Sequence, residues 1–252
     1  MKHLIAIFFC LGLVLHTQGQ ERYYGYFPDS ARYVIAPSGL NLRAEPSTSA
    51  SVVAKLPYAT EVQSLRSLGE SVLGDRVGAW EKVKYGDVVG YAFNVYLSVL
   101  PAPQLNLRED PCEEMSWYGY EFLLRQYLEQ HLVPLTEEVE VLEYDPYAEE
   151  QSHAQFYRQY EKGVFMFQDT WYESSQTHVR LFGMTPDQAL TFVEALVKTN
   201  CPENTLFDSP PKRVHNQDET LILIEDGTQG GWWMSIQRLS YLSVEIVMGS
   251  GV

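Results

Sequence analysis

From Tyr33 to Leu100, apolar and polar positions alternate in short runs closed by turn residues. Leu40 and Leu42 alternate with Asn41 and Arg43. Val52 to Leu56 and Glu61 to Leu65 form two more runs, and Trp80 to Tyr85, Val88 to Ala92 and Tyr96 to Leu100 follow. A period of two predicts strands, and Tyr85-Gly86-Asp87-Val88 reads as a hairpin turn. Strands this short and closely spaced predict a small all-β barrel over residues 33–100. Leu68 to Gly78, rich in Gly and Ser, reads as a long loop between two of its strands. Pro101-Ala102-Pro103 then ends the pattern and predicts an extended linker over 101–109.

The period changes beyond Asp110. Asp110 at the N-cap, Pro111 at N1 and Glu113 at N3 predict a capped helix start. Met115, Tyr118, Phe122 and Leu128 carry its apolar face to about His131. Leu135 to Tyr144 predicts a strand, and Ala148 to Tyr160 a weaker helix. Val164 to Phe167 and His178 to Phe182 predict paired strands, joined by a polar connection from Asp169 to Thr177. Thr185-Pro186-Asp187-Gln188 is a second capping box, opening a helix that ends near Asn200. Leu221 to Ile224 predicts a strand, and Trp232 to Leu239 with Leu242 to Met248 an antiparallel hairpin. The expected architecture of residues 110–252 is an α+β domain, an antiparallel sheet with helices on one face.

The start of the chain reads differently. Lys2 precedes twelve apolar residues from Leu4 to Leu15. Twelve is short of the roughly 20 a membrane-spanning helix needs, and fits the apolar core of a secretory signal peptide. Thr17 and Gly19 supply small residues for cleavage, so residues 1–19 are expected to be removed. No later stretch is apolar and long enough to span a membrane, so the mature chain is expected to be exported, periplasmic or extracellular. Residues 20–32 form an aromatic segment, Tyr23-Tyr24-Gly25-Tyr26-Phe27, expected to pack on the barrel as an extra edge, with a recognition arm as the alternative.

Leu40-Asn41-Leu42-Arg43-Ala44-Glu45-Pro46-Ser47 resembles the N-L-R-x-x-P-S opening of bacterial SH3-like domains. Trp80-x-Lys82-Val83-x-Tyr85-Gly86 with Gly90-Tyr91-Ala92-x-x-x-Tyr96-Leu97 is similar to their closing hairpin and last strand. The resemblance covers about a quarter of the chain. It implies a five-to-seven-strand barrel acting as a binding module, with cell-wall peptide or an envelope protein as partner. Trp80, Tyr91 and Tyr96, with Arg43, are the expected ligand-binding residues; the plainer reading of Trp80 is packing against its own hairpin.

Charge divides the chain at the same linker. Residues 21–108 hold nine Lys/Arg against eight Asp/Glu, and residues 109–252 hold eight against 25. So acidic a second half excludes nucleic acid as a partner, because phosphates need basic groups.

With Cys10 in the signal peptide, Cys112 and Cys201 remain, and an exported chain with two cysteines favours one disulfide. The competing chemistry is a cell-wall cysteine endopeptidase of the papain-like (NlpC) type, with Cys112 at a helix N-terminus as nucleophile and His178 as base. Its family motif is Asp-Cys-Ser-Gly, whereas Pro111-Cys112-Glu113-Glu114 stands here, with two carboxylates opposing a thiolate. His131, His153 and His215 are isolated and have no metal-ligand spacing, so neither a metal nor a cofactor is expected. The expectation is a non-catalytic binding protein.

Overall fold

Two antiparallel sheets form, one from each of the stretches that the alternation separates. The computed structural model describes residues 30–105, 112, 117–144, 151–171, 174–203, 211–215, 220–225, 232–240 and 243–250. Residues 1–19, expected to be a signal peptide, and the aromatic residues 23–27 lie outside them.

The first sheet has seven strands, β1 (Ala31–Val34), β2 (Leu40–Arg43), β3 (Val52–Leu56), β4 (Glu61–Leu73), β5 (Arg76–Tyr85), β6 (Val88–Phe93) and β7 (Leu97–Ser98). Their spatial order is β3-β2-β6-β5-β4-β1-β7. Val34, Leu40, Leu42, Leu56, Val62, Val83, Ala92 and Leu97 point inward and make a small aliphatic core. β6 crosses so close to β2 that a Cβ on Gly90 would lie 2.7 Å from the Arg43 carbonyl oxygen and from Leu42 Cγ. Only glycine permits that approach.

Three details depart from the sequence reading. The first strand begins at Ala31 rather than Tyr33, and it brings in Arg32, which pairs with Glu81 at 3.2 Å. Both side chains are fully buried, at 0% and 1% exposure, so each charge depends on the other. The run from Tyr96 to Leu100 is a single 3-10 turn, Asn94–Tyr96, followed by the two residues of β7. Leu68 to Gly78 is no loop. β4 and β5 continue as a ribbon to the pair Leu73–Arg76, with register shifts at Ser64/Arg66 and Ser67/Glu70 that bend it. Its alternation was obscured by Gly69 and Ser71, which lie in the ribbon without offering apolar side chains.

The second sheet has eight strands: β8 (Val139–Tyr144), β9 (Gln151–Gln159), β10 (Phe165–Trp171), β11 (Ser174–Phe182), β12 (Lys212–His215), β13 (Thr220–Glu225), β14 (Trp232–Ser240) and β15 (Ser243–Ser250). The order is β12-β13-β14-β15-β11-β10-β9-β8. Helix α1 (Trp117–His131) precedes β8, and α2 (Pro186–Asn200) precedes β12. Among the described residues, a helix followed by a four-strand meander thus occurs twice, and the final strands β11 and β15 pair at the centre, Val179 opposite Ile246. The molecule is mostly β, with two α-helices among the described residues.

Over its described residues, the helix expected from Ala148 to Tyr160 is instead strand β9 (Gln151–Gln159). Phe156 and Tyr157 pair there with Gln168 and Phe167, so sheet neighbours override a weak local pattern. The polar connection from Asp169 to Thr177 is likewise mostly strand, with the β10–β11 hairpin pairing out to Trp171 and Ser174. The Thr185 capping box forms as expected: Gln188 N–H donates to Thr185 Oγ1 at 3.2 Å, and Thr185 N–H to Gln188 Oε1 at 2.8 Å. α1 is described over Trp117–His131, matching the expected end near His131, and Cys112 lies in a turn; the expected cap at Asp110, Pro111 and Glu113 lies outside the described residues.

The large core joins Tyr120, Leu124, Tyr127 and Leu128 of α1 to Leu190, Phe192 and Leu196 of α2 and to Met166, Val179, Ile236 and Ile246 of the sheet. Ile35, Leu100 and Ala102 belong to it as well, so the first sheet and the linker share it. The linker is tied down: Tyr127 donates to the Pro101 carbonyl at 2.8 Å and Tyr58 to that of Pro103 at 2.9 Å. Burial pushes both hydroxyls above the usual tyrosine range.

Candidate functional site

A groove of about 260 Å³ opens on the first sheet. Arg43, Trp80 and Tyr96 line it, together with residues of the 36–41 turn, Thr48, Leu73 and Phe93. β5 and β6 set Trp80 directly opposite Phe93, and the two rings meet edge-on at 5.7 Å. Tyr96 arrives on the 3-10 turn and half-packs against the aliphatic core. Arg43 ends β2, and its Nη1 donates to the Ala50 carbonyl at 2.7 Å, fixing the loop after β2. Of the lining residues, Arg43 alone carries a formal charge at neutral pH. The groove therefore offers aromatic and aliphatic walls and one cationic pole. Apolar walls with a few placed polar groups are the usual makeup of a small-ligand site.

Tyr91 does not join the other three. It stands opposite Arg43 in the ladder, outside the lining, with Lys82 Nζ 6.0 Å from its ring centre. Phe93, two positions further on, takes the place expected for Tyr91. The alternation of β6 could have identified Phe93, since it lies opposite Trp80. Leu73 could not have been identified while its segment read as a loop.

Cys112 and Cys201 form a disulfide, so Cys112 has no thiolate to offer. His178 also faces away from it. Val179 and Leu181 point into the large core against which Cys112 packs, and His178, alternating with them, points to the other side of the sheet. There His178 sits beside the Phe167 ring at 5.3 Å, with Nδ1 3.7 Å from Glu245. Glu245 also accepts from Arg180 at 3.1 Å and Gln237 at 3.0 Å. The nearby His178, followed by the hydrogen bonds from Gln237 and Arg180, holds the Glu245 carboxyl down at about 2 against a smaller opposing effect of burial. His178 thus lies on the face of the sheet opposite Cys112, whose sulfur is tied up in the disulfide. Among the described residues no group of His, Cys, Asp and Glu could hold a metal.

Residues 38–98 match the family described as Bacterial SH3 domain, so this stretch of the chain is a bacterial SH3 domain, as its motifs indicate. No curated protein and no solved structure matches the chain. Among the described residues no helix is long and apolar enough to cross a membrane.

Proposed function

We propose that this is an exported, non-catalytic binding protein whose SH3 barrel takes a cell-wall peptide into the groove between Trp80, Tyr96 and Arg43. The observation that carries the reading is convergence. Three of the four residues singled out in the motifs line one groove, inside the stretch that matches the bacterial SH3 family. The chemistry supports a peptide: aromatic walls pack small apolar side chains and backbone, and Arg43 pairs with a carboxylate. Size favours a short peptide over a folded envelope protein, because a stable protein interface needs roughly 1,000 Å² or more. Export is supported by the apolar stretch behind Lys2, with cleavage near Gly19, and by the disulfide. The chain divides into the barrel of 33–100 and the acidic domain of 110–252. We read both helices as covering one face of the second sheet, which makes the acidic domain a scaffold for the barrel.

The test is co-sedimentation of the mature chain with purified peptidoglycan. The wild-type protein pellets. Trp80→Ala weakens retention by about tenfold or more, as loss of a buried aromatic anchor does. Arg43→Gln also weakens it, and Tyr91→Phe leaves it unchanged. Equal retention of wild type and Trp80→Ala would sink the reading.

A further inference from the structure

We infer that Leu73 is a further binding residue of the groove, and that the second sheet domain, not the barrel, holds it in place. The inference rests on the groove being the binding site. Leu73 is the last residue of β4, at the tip of the bent ribbon, yet it lines the same groove as Trp80. A two-stranded ribbon is marginal by itself, so its tip needs an anchor, and the start of α2 supplies one. Arg76 Nη2 lies 2.6 Å from Glu194 Oε1. Val77 N–H donates to Asp187 Oδ2 at 3.2 Å. Arg213, on β12, grips the same carboxylate with both arms of its fork, at 2.7 and 3.1 Å. Asp187 is only 2% exposed, so this is a built anchor rather than a surface pairing.

The same helix start holds the opposite wall. Gln188 Nε2 donates to the carbonyls of Asn94 and Leu97, at 2.9 and 3.0 Å, and these residues bracket Tyr96. The ribbon crosses this turn so tightly that a Cβ on Gly78 would lie 2.5 Å from Val95 Cγ2 and 2.7 Å from Asn94 Oδ1. Leu73, at the ribbon tip, and Tyr96 are therefore referenced to α2 through adjacent residues, whereas Arg43 on β2 and Trp80, further along β5, sit in the body of the first sheet. The second domain sets the distance between these walls, and with it the width of peptide the groove accepts.

The experiment uses the full mature chain and two readouts. The first is the indole N–H resonance of Trp80, assigned by its loss in Trp80→Phe. The second is retention on purified peptidoglycan. Leu73→Ala shifts the Trp80 resonance and lowers retention by about threefold to tenfold, with its denaturant midpoint near that of wild type. Leu73→Met restores both. Arg76→Gln and Asp187→Asn, which leave Leu73 in the sequence, shift the resonance in the same direction. A Trp80 resonance unmoved in both anchor variants overturns the inference. A shifted resonance with no retention of the wild-type chain upholds the wall assignment and removes the peptidoglycan reading.

Discussion

The two hydrophobic cores use aromatic residues in opposite ways. The core of the SH3 barrel is aliphatic, and Trp80, Tyr85, Tyr91 and Tyr96 stay half-buried or exposed around it. The large core between the helices and the second sheet takes rings in: Tyr127 meets Phe192 edge-on at 4.9 Å, and Tyr120 lies 4.7 Å from Trp232. A large ring inside a core contributes stability; the same ring at a surface groove contributes recognition. The first sheet buries Phe93 but can keep Trp80, Tyr85, Tyr91 and Tyr96 out of its core because it does not stand alone. Its end residues Ile35 and Leu100 are stabilised in the larger core.

The comparison can be broken or sharpened by mutation. The largest effect is expected for Phe192→Ala, about 4 kcal/mol lost in denaturant unfolding, because a fully buried ring leaves a cavity. Next comes Cys201→Ser, which opens a disulfide joining residues 89 apart and costs about 3 kcal/mol on the same measurement. Glu245→Gln should cost about 2 kcal/mol near neutral pH through lost charged hydrogen bonds. Its pH signature has a definite sign. The Glu245 carboxyl is held at about 2 in the folded chain, against an ordinary value of about 4.3 unfolded. Its contribution is therefore full above the unfolded value and disappears as pH falls toward 2. The wild-type and Glu245→Gln chains should thus converge in stability over that window. The smallest effect on stability is Trp80→Ala, below about 1 kcal/mol, although it is the variant expected to lose peptidoglycan. If Trp80→Ala unfolded as readily as Phe192→Ala, the division between recognition and core would collapse.

Legibility followed the same line. The barrel was readable because its motif residues are fixed by backbone demands that act locally: a glycine where β6 meets β2, and alternation in strands of four to six residues. The Thr185 capping box was readable for the same reason, since a cap is satisfied within three residues. What escaped was set by pairing partners outside the segment itself. β9 is a strand because β8 and β10 flank it, and β12 because β13 does. The ribbon reads as a loop until its grip on Asp187 and Glu194, more than a hundred residues away, is known. In the groove, Arg43, Trp80 and Tyr96 were legible from the motifs, and Leu73 was not, since its place there depends on that distant anchor.

The twofold helix-and-meander order has a consequence for assembly. Within each meander, neighbouring strands are also neighbours along the chain, so each half can zip by local hairpins. Only the seam between β11 and β15 joins residues far apart, Ser175 with Ser250 and Phe182 with Ser243. Until β15 docks, β11 presents a bare row of amides and carbonyls, the kind of edge on which chains aggregate. The seam is then the slow, vulnerable step of maturation, and a solubility defect should follow any change that keeps β15 from closing it, even with every groove residue intact.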